Sequence, residues 1–343
     1  GEQIMDKIII PMSYMGSGSS AVTDLLREYD GINTKNSDFE YVFLHAPDGL
    51  FDLEYKLLYN NNSIRSDEAV KSFRKLMKKL YIYGGWGIAN YKHKISKNFL
   101  NIVDSYLDSI ITSKYRGIWY YYQKPSKIAW FIRVMRRVIF KKSTKLKQVQ
   151  LEMSLVSPDD FYEKSKKFIL AVINELSDKE KYVVLDQLLL PHNLNIIDSY
   201  KFEELFPVVI SRDPRDVFIM NKYFWKPRNQ EIPYPTDVKE FCQYYKMMRR
   251  NEKKTETLTL RLNFEDLVLH YEETKEKIEN FIGIDSTHHK TKFKYFNPAI
   301  SVNNLQVYNR DVKYKAEVEI IELELSEYLY NFKNEIVSNG DVF

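Results

Sequence analysis

Residues 7–12 read Lys-Ile-Ile-Ile-Pro-Met, apolar from Ile8 on and without alternation, and further short, largely apolar runs follow at 41–45, 182–185, 207–211 and 257–262. A strand with no polar face has to be covered on both sides, and parallel sheets achieve this by laying crossover helices over each face. Stretches with helical periodicity separate the runs, at 19–29, 50–59, 66–80, 160–176, 214–222, 237–253, 264–282 and 314–332. Gly283 is placed to cap the seventh of them. The alternation predicts an α/β fold in three layers, with a central parallel sheet flanked by helices and ligands bound at the carboxyl ends of strands. No Gly/Ser- or Pro-rich linker divides the chain. The expectation is one domain over 1–343, in which 60–180 is a largely helical insertion between the second and third core strands.

Composition removes several function classes. With 51 Lys+Arg against 47 Asp+Glu the net charge is +4, too mild an excess for a dedicated nucleic-acid binder. The single cysteine, Cys242, excludes an intrachain disulfide framework and a cysteine-built metal centre, and its aromatic neighbours predict a small buried apolar residue. No apolar run reaches the roughly 18 residues of a membrane span, and 7–12 is too short for a signal-peptide core. A cytoplasmic setting is the expectation, with the inner membrane face as a variant of it. Abundant Lys, Ile, Asn and Tyr suggest an AT-rich, bacterial coding genome.

Two segments carry chemistry. After the first strand comes Ser13-Tyr-Met-Gly16-Ser17-Gly18-Ser19-Ser20-Ala21 and then a helix. Strand, glycine loop and helix together aim backbone N–H groups and a helix dipole at one anion. The plainer reading is a flexible turn in which Ser19 or Ser20 caps the helix. The Lys-Ser/Thr ending of an ATP-binding loop is missing, which argues against a nucleoside triphosphate with Mg²⁺. The second segment runs Pro207-Val-Val-Ile-Ser-Arg212-Asp-Pro-Arg-Asp-Val217. A buried strand delivers Arg212 to its carboxyl end, Asp213 is set to cap a helix, and Pro214 takes the first helical position. An arginine held this way presents a fork of donors suited to phosphate. A structural Arg–Asp pairing within the segment is the alternative.

Together the two segments resemble the sulfotransferases that use 3′-phosphoadenosine 5′-phosphosulfate (PAPS). Gly16-Ser17-Gly18-Ser19-Ser20 stands where that family binds the 5′-phosphosulfate, and Arg212-Asp-Pro-Arg-Asp-Val217 matches its 3′-phosphate segment in full. Leu260-Arg-Leu-Asn-Phe-Glu-Asp-Leu-Val268 and Ile278-Glu-Asn-Phe-Ile-Gly-Ile284 are similar to two later stretches, and 301–309 is similar to the cofactor-closing loop, with Asn304, Tyr308 and Asn309 in register. The resemblance implies a P-loop-like core, PAPS as cofactor, no metal, and cofactor contacts from Gly16, Ser17, Gly18, Ser19, Ser20, Ala21, Arg212, Asn221 and Asn304. It departs from the family at three places. Gly16 replaces the loop's basic residue, so another Lys or Arg has to stabilise the leaving oxygen. Met220 replaces a serine, with Asn221 beside it as the substitute donor, and Gln306 replaces a glycine.

Sulfuryl transfer needs a base for the acceptor hydroxyl. His45, aided by Asp48 in the turn after the second predicted strand, is the leading expectation, with Asp186, at the end of the third, next in line. Residues 127–147 hold eight Lys/Arg and no acid, interleaved with aromatic side chains and preceded by Trp119-Tyr-Tyr-Tyr122. That pattern suits a helix packing its apolar face on the core, a cleft for an acidic glycan, or a patch seated on an anionic membrane. The functional expectation is a PAPS-dependent sulfotransferase acting on a carbohydrate hydroxyl, of a surface polysaccharide or a lipid-linked precursor, with no nucleic-acid partner. The rivals are a P-loop kinase and a non-catalytic glycan- or membrane-binding protein with a degenerate nucleotide site.

Overall fold

The structure, a computed structural model, describes residues 7–14, 16–36, 39–82, 89–119, 126–140, 148–176, 180–228, 234–333, 340 and 342. Its centre is a five-stranded, all-parallel sheet. The strands are β1 (Lys7–Ser13), β2 (Ile32–Asn33), β5 (Tyr182–Val184), β6 (Leu205–Ser211) and β7 (Leu260–Asn263), in the order β2-β5-β1-β6-β7. A separate antiparallel hairpin pairs β3 (Ser113–Gly117) with β4 (Val149–Met153). β1 lies between β5 and β6, with Ile9 opposite Val184 and Ser13 opposite Ile210.

Both faces of β1 are buried, as an unbroken apolar run requires. Ile8, Ile10 and Met12 enter one core with Phe43, Phe73, Val103 and Phe168, so the helices of the insertion share their core with the sheet. Ile9 enters the opposite core with Val22 and Leu25 of the helix Ser19–Leu26 and with Ile278 and Ile282. A third cluster joins the helices Pro214–Ile219, Val238–Asn251 and Lys315–Glu324. Cys242 lies within it, and burial pushes its thiol up to about 11.

The predicted strand at 41–45 is not a strand. Tyr41, Val42, Phe43 and Leu44 are all buried, but they line a turn-rich segment under the insertion, and Ile32–Asn33 takes the sheet position instead. An apolar run reports burial and does not distinguish a strand from a packed loop. The Ala46 N–H donates to the Val42 carbonyl at 2.8 Å and that of Gly49 to Ala46 at 2.7 Å, folding the segment back on itself. A Cβ on Gly49 would lie 2.7 to 2.9 Å from three backbone carbonyls, so the Asp48-Gly49 turn admits no side chain there. The predicted helix 264–282 is two, Phe264–Leu269 and Tyr271–Ile282, broken at His270 where the Thr274 hydroxyl takes the Asp266 carbonyl at 3.0 Å. Gly283 ends the second in the left-handed region, φ 70°.

Candidate functional site

The chain leaves β1 toward β2 on one side of the sheet and leaves β6 toward β7 on the other. The crevice between the carboxyl ends of β1 and β6 is therefore the topological switch point, where open parallel sheets bind ligands. Both segments singled out by sequence end there, and a single ring connects them. Gly18 has φ 101°, and a Cβ on it would come 3.1 Å from Phe264 Cδ2. The Arg212 guanidinium lies 4.9 Å from the centroid of that same ring. Only glycine lets the loop close on Phe264 in this backbone conformation.

The loop spends some of its donors on itself. Ser17 N–H donates to the Tyr14 carbonyl at 2.8 Å, and its hydroxyl turns to the same oxygen. Ala21 N–H donates to the Gly18 carbonyl at 3.1 Å. The N–H groups of Ser19 and Ser20, in the first helical turn, have no acceptor among the described residues and are placed to meet an anion. Gly16 and Ser20 are exposed; Ser17 and Ser19 are buried.

Arg212 is 4% exposed and donates from Nη2 to the Asn304 carbonyl, while its Nε–H has no partner. Asn304 Oδ1 is likewise unpartnered. After Ile219 the helix loosens into a π-helical turn over Met220–Trp225, and there Asn221, buried, bonds through neither its Nδ2 nor its Oδ1. Buried polar groups are nearly always satisfied, so this set of idle groups is what a ligand carrying a charged phosphate would complete. Asp213 caps its helix by accepting from Arg215 N–H at 2.9 Å and pairs with the Arg215 guanidinium at 2.7 Å. The ion pair of this segment is thus Arg215–Asp213, which leaves Arg212 out of it.

Two buried carboxyls frame the arginine. Burial pushes Asp216 up to about 7, against the opposing charge of Arg212 and with Asp213 adding to the rise; the N–H groups of Gln306 and Tyr308 donate to it at 2.9 and 3.3 Å. Burial pushes Glu265 up to about 8, although it accepts from the Asp213 N–H at 2.8 Å and faces Arg212. Because folding raises the Glu265 value, the folded chain retains a proton that the unfolded chain releases above about pH 4.5. This group therefore costs stability progressively from about pH 4.5 to about pH 8. Glu265→Gln keeps the acceptor for Asp213, and should gain on the order of 1 kcal/mol or more over the native chain at pH 8 but little at pH 4.5. Urea unfolding at the two pH values checks this; an equal change at both would contradict it.

On the other side of β1, Asp186 and Gln187 follow β5. The Gln187 Nε2 donates to Ser13 Oγ at 3.1 Å and Ser19 Oγ at 3.0 Å, and its N–H to the Pro11 carbonyl at 2.9 Å. Asp186 is 6% exposed with Oδ1 unpartnered. Burial pushes it up to about 7, opposed by the Ser19 and Thr23 hydroxyls and reinforced by the charges of Glu40 and Asp24. His45 Nε2 meets the Gln187 carbonyl at 2.8 Å, so that nitrogen carries the proton. Burial holds the imidazole below its ordinary value and His192 nearby lowers it further, leaving the ring neutral at pH 7. Asp48, at φ 67°, pairs with Lys56 at 2.9 Å rather than with His45.

Sequence reading missed Arg249. From the helix Val238–Asn251 its guanidinium lies 4.2 Å from the centroid of Tyr14, the residue that opens the loop, and 5.0 Å from that of Tyr328. Among the described residues it has no carboxylate partner. Tyr14 itself donates to Glu252, and burial pushes its phenol up to about 12. The Tyr14 contacts with Arg249 and Glu252 tie residues more than 200 positions apart in sequence, and no local pattern announces them. Among the described residues no cluster of three or more His, Cys, Asp or Glu is arranged to hold a metal.

No family model matches the chain, and no curated protein matches it either. Solved structures similar to it include a sulfotransferase from Mycobacterium tuberculosis, at 10% identity over 95% of this chain and 77% of that one, TM-score 0.37. Another is a retinol dehydratase in complex with androsterone and the inactive cofactor PAP, at 12% identity over 96% and 82%, TM-score 0.33. At scores this low the functional reading rests on the residues of the site and not on these likenesses.

Proposed function

We propose that the protein is a sulfotransferase that uses PAPS and sulfates a carbohydrate hydroxyl. The observation that carries the reading is the meeting of the Gly16–Ser20 loop and buried Arg212 on one phenylalanine ring at the switch point, with the Arg212 Nε–H and the side-chain oxygen of Asn304, whose carbonyl the arginine holds, both idle. A loop without the ATP-binding lysine, facing an arginine sealed from solvent, suits a nucleotide with a phosphate at each end better than a triphosphate.

Bound PAPS would supply an activated sulfuryl group on a phosphate leaving group. The free N–H groups of Ser19 and Ser20 and the helix dipole would hold its 5′ end. Arg212, with Asn221 and the Asn304 side chain, would hold the 3′-phosphate. Arg249 would serve as the cation that Gly16 does not provide, held beside the loop by Tyr14. Asp186, poised near neutrality at the adjacent strand end, would take the proton of the acceptor hydroxyl at its free oxygen. His45 is then a positioning residue, fixing the Gln187 carbonyl and through it the Asp186 turn. Half-buried Arg249 against Tyr328 is the aromatic and cationic pairing that would suit a sugar acceptor.

Incubation with PAPS and bacterial surface polysaccharide or its lipid-linked precursors, followed for release of 3′-phosphoadenosine 5′-phosphate, tests the reading. Release that depends on the acceptor and is indifferent to chelators is expected. Absence of release with every carbohydrate, alongside release with a non-carbohydrate alcohol, would reassign the acceptor.

A further inference from the structure

The helix Lys127–Phe140 exposes what an ordinary amphipathic helix buries. No residue from Lys127 to Ile139 is buried, and Ile128 is 74% exposed, Trp130 58%, Phe131 59% and Val138 69%. At about 100° per residue, Ile128, Phe131, Ile132, Met135, Val138 and Ile139 share one face. Arg133, Arg136 and Arg137 share the opposite one, with Trp130 at a border between them. Lys127 adds a fourth positive charge, and the helix contains no acid. The core-packing alternative is thereby excluded, because the apolar face meets no core.

We propose that this helix lies in the headgroup region of an anionic membrane face. Three features select that occupant. Single-sign charge complements anionic lipid, whereas a solvated helix gains from mixed signs three or four residues apart. An apolar face opposite an arginine stripe, with tryptophan between the two, is the layering of an interfacial helix. At about 1.5 Å per residue the helix is about 21 Å long, too short to span a bilayer, and no helix among the described residues is long and apolar enough to do so. Its setting fits as well. Gly117 pairs with Val149 at the end of the β3–β4 hairpin, so the helix belongs to the stretch of chain that connects these two strands. The hairpin is anchored to the helix Ser63–Ile82, where Glu152 N–H donates to Asp67 at 2.8 Å and Arg74 pairs with Glu152 at 2.8 Å. Of the basic segment, 141–147 lies outside the described residues, as do 120–125, and neither enters this proposal.

Flotation of the full chain with phosphatidylcholine vesicles, with and without phosphatidylglycerol, tests it. Binding only to the anionic vesicles is expected, weakened by high salt. The triple variant Arg133→Glu/Arg136→Glu/Arg137→Glu should lose at least about 100-fold in partitioning. Phe131→Ser/Val138→Ser, which leaves the charge unchanged, should also release the protein. All these side chains are exposed or half-buried, so the thermal melts of the variants should match the native one. A native chain that ignores both vesicle types, or binds both equally, would overturn the proposal. So would a dimer without lipid binding that Phe131→Ser/Val138→Ser dissociates, since the apolar face would then belong to a second copy. None of these outcomes depends on the sulfotransferase reading.

Discussion

Arg212→Ala should weaken binding of 3′-phosphoadenosine 5′-phosphate by about 2–5 kcal/mol, the scale for removing one partner of a buried, charged hydrogen-bonded pair. ADP, which lacks the 3′-phosphate, should lose almost nothing. The selectivity matters because Arg212 also has structural duties. It holds the Asn304 carbonyl, stacks on Phe264 and faces Asp216 and Glu265, so its removal leaves two buried carboxyls without their cation. A melt of the variant will therefore fall. Asn221→Ala separates the two effects, because its amide bonds to nothing within the described residues and its loss should cost little stability. Its 3′-phosphate penalty should be smaller, about 1 kcal/mol, and equally specific. Calorimetry with both nucleotides on both variants measures this. Equal loss for the two nucleotides would mean that the segment is scaffold.

The second large effect concerns the proton. Asp186→Asn should cut turnover about 100-fold or more while nucleotide affinity is unchanged, the usual share of a positioned base. A base works when deprotonated, so native turnover should rise with pH through about 7, the value to which burial pushes Asp186. The Asn variant should lose that rise. His45→Ala should cut turnover less, by loosening the Gln187 carbonyl, and should retain the pH limb. If the Asn variant keeps full turnover, or if His45→Ala alone abolishes the limb, the base is not Asp186.

The core of the sheet and the two segments that end side by side at β1 and β6 were legible because their signals are local. A buried strand, a glycine at the loop and an Asp-Pro helix start each act within a few residues. Arg249 and the Phe264 bridge were not, since they depend on which side chains the fold brings together. Tyr41–Leu44 misled because burial alone produces an apolar run. The β3–β4 hairpin went unread for the opposite reason: Ser-Lys-Tyr-Arg-Gly in β3 is largely exposed and carries no apolar alternation. The helix Phe99–Ile110 does carry a local signal, with Phe99, Val103, Tyr106, Leu107 and Ile110 spaced to share one face.

The measurement closest to the central claim is a calorimetric ranking of 3′-phosphoadenosine 5′-phosphate, ADP and ATP with Mg²⁺ on the native chain. Buried Arg212, with its idle Nε–H and its hold on Asn304, predicts that the 3′-phosphorylated nucleotide binds most tightly, by about thirty-fold or more over ADP, and that chelators change nothing. Tightest binding of ATP with Mg²⁺, or no discrimination between ADP and its 3′-phosphorylated counterpart, would contradict the account.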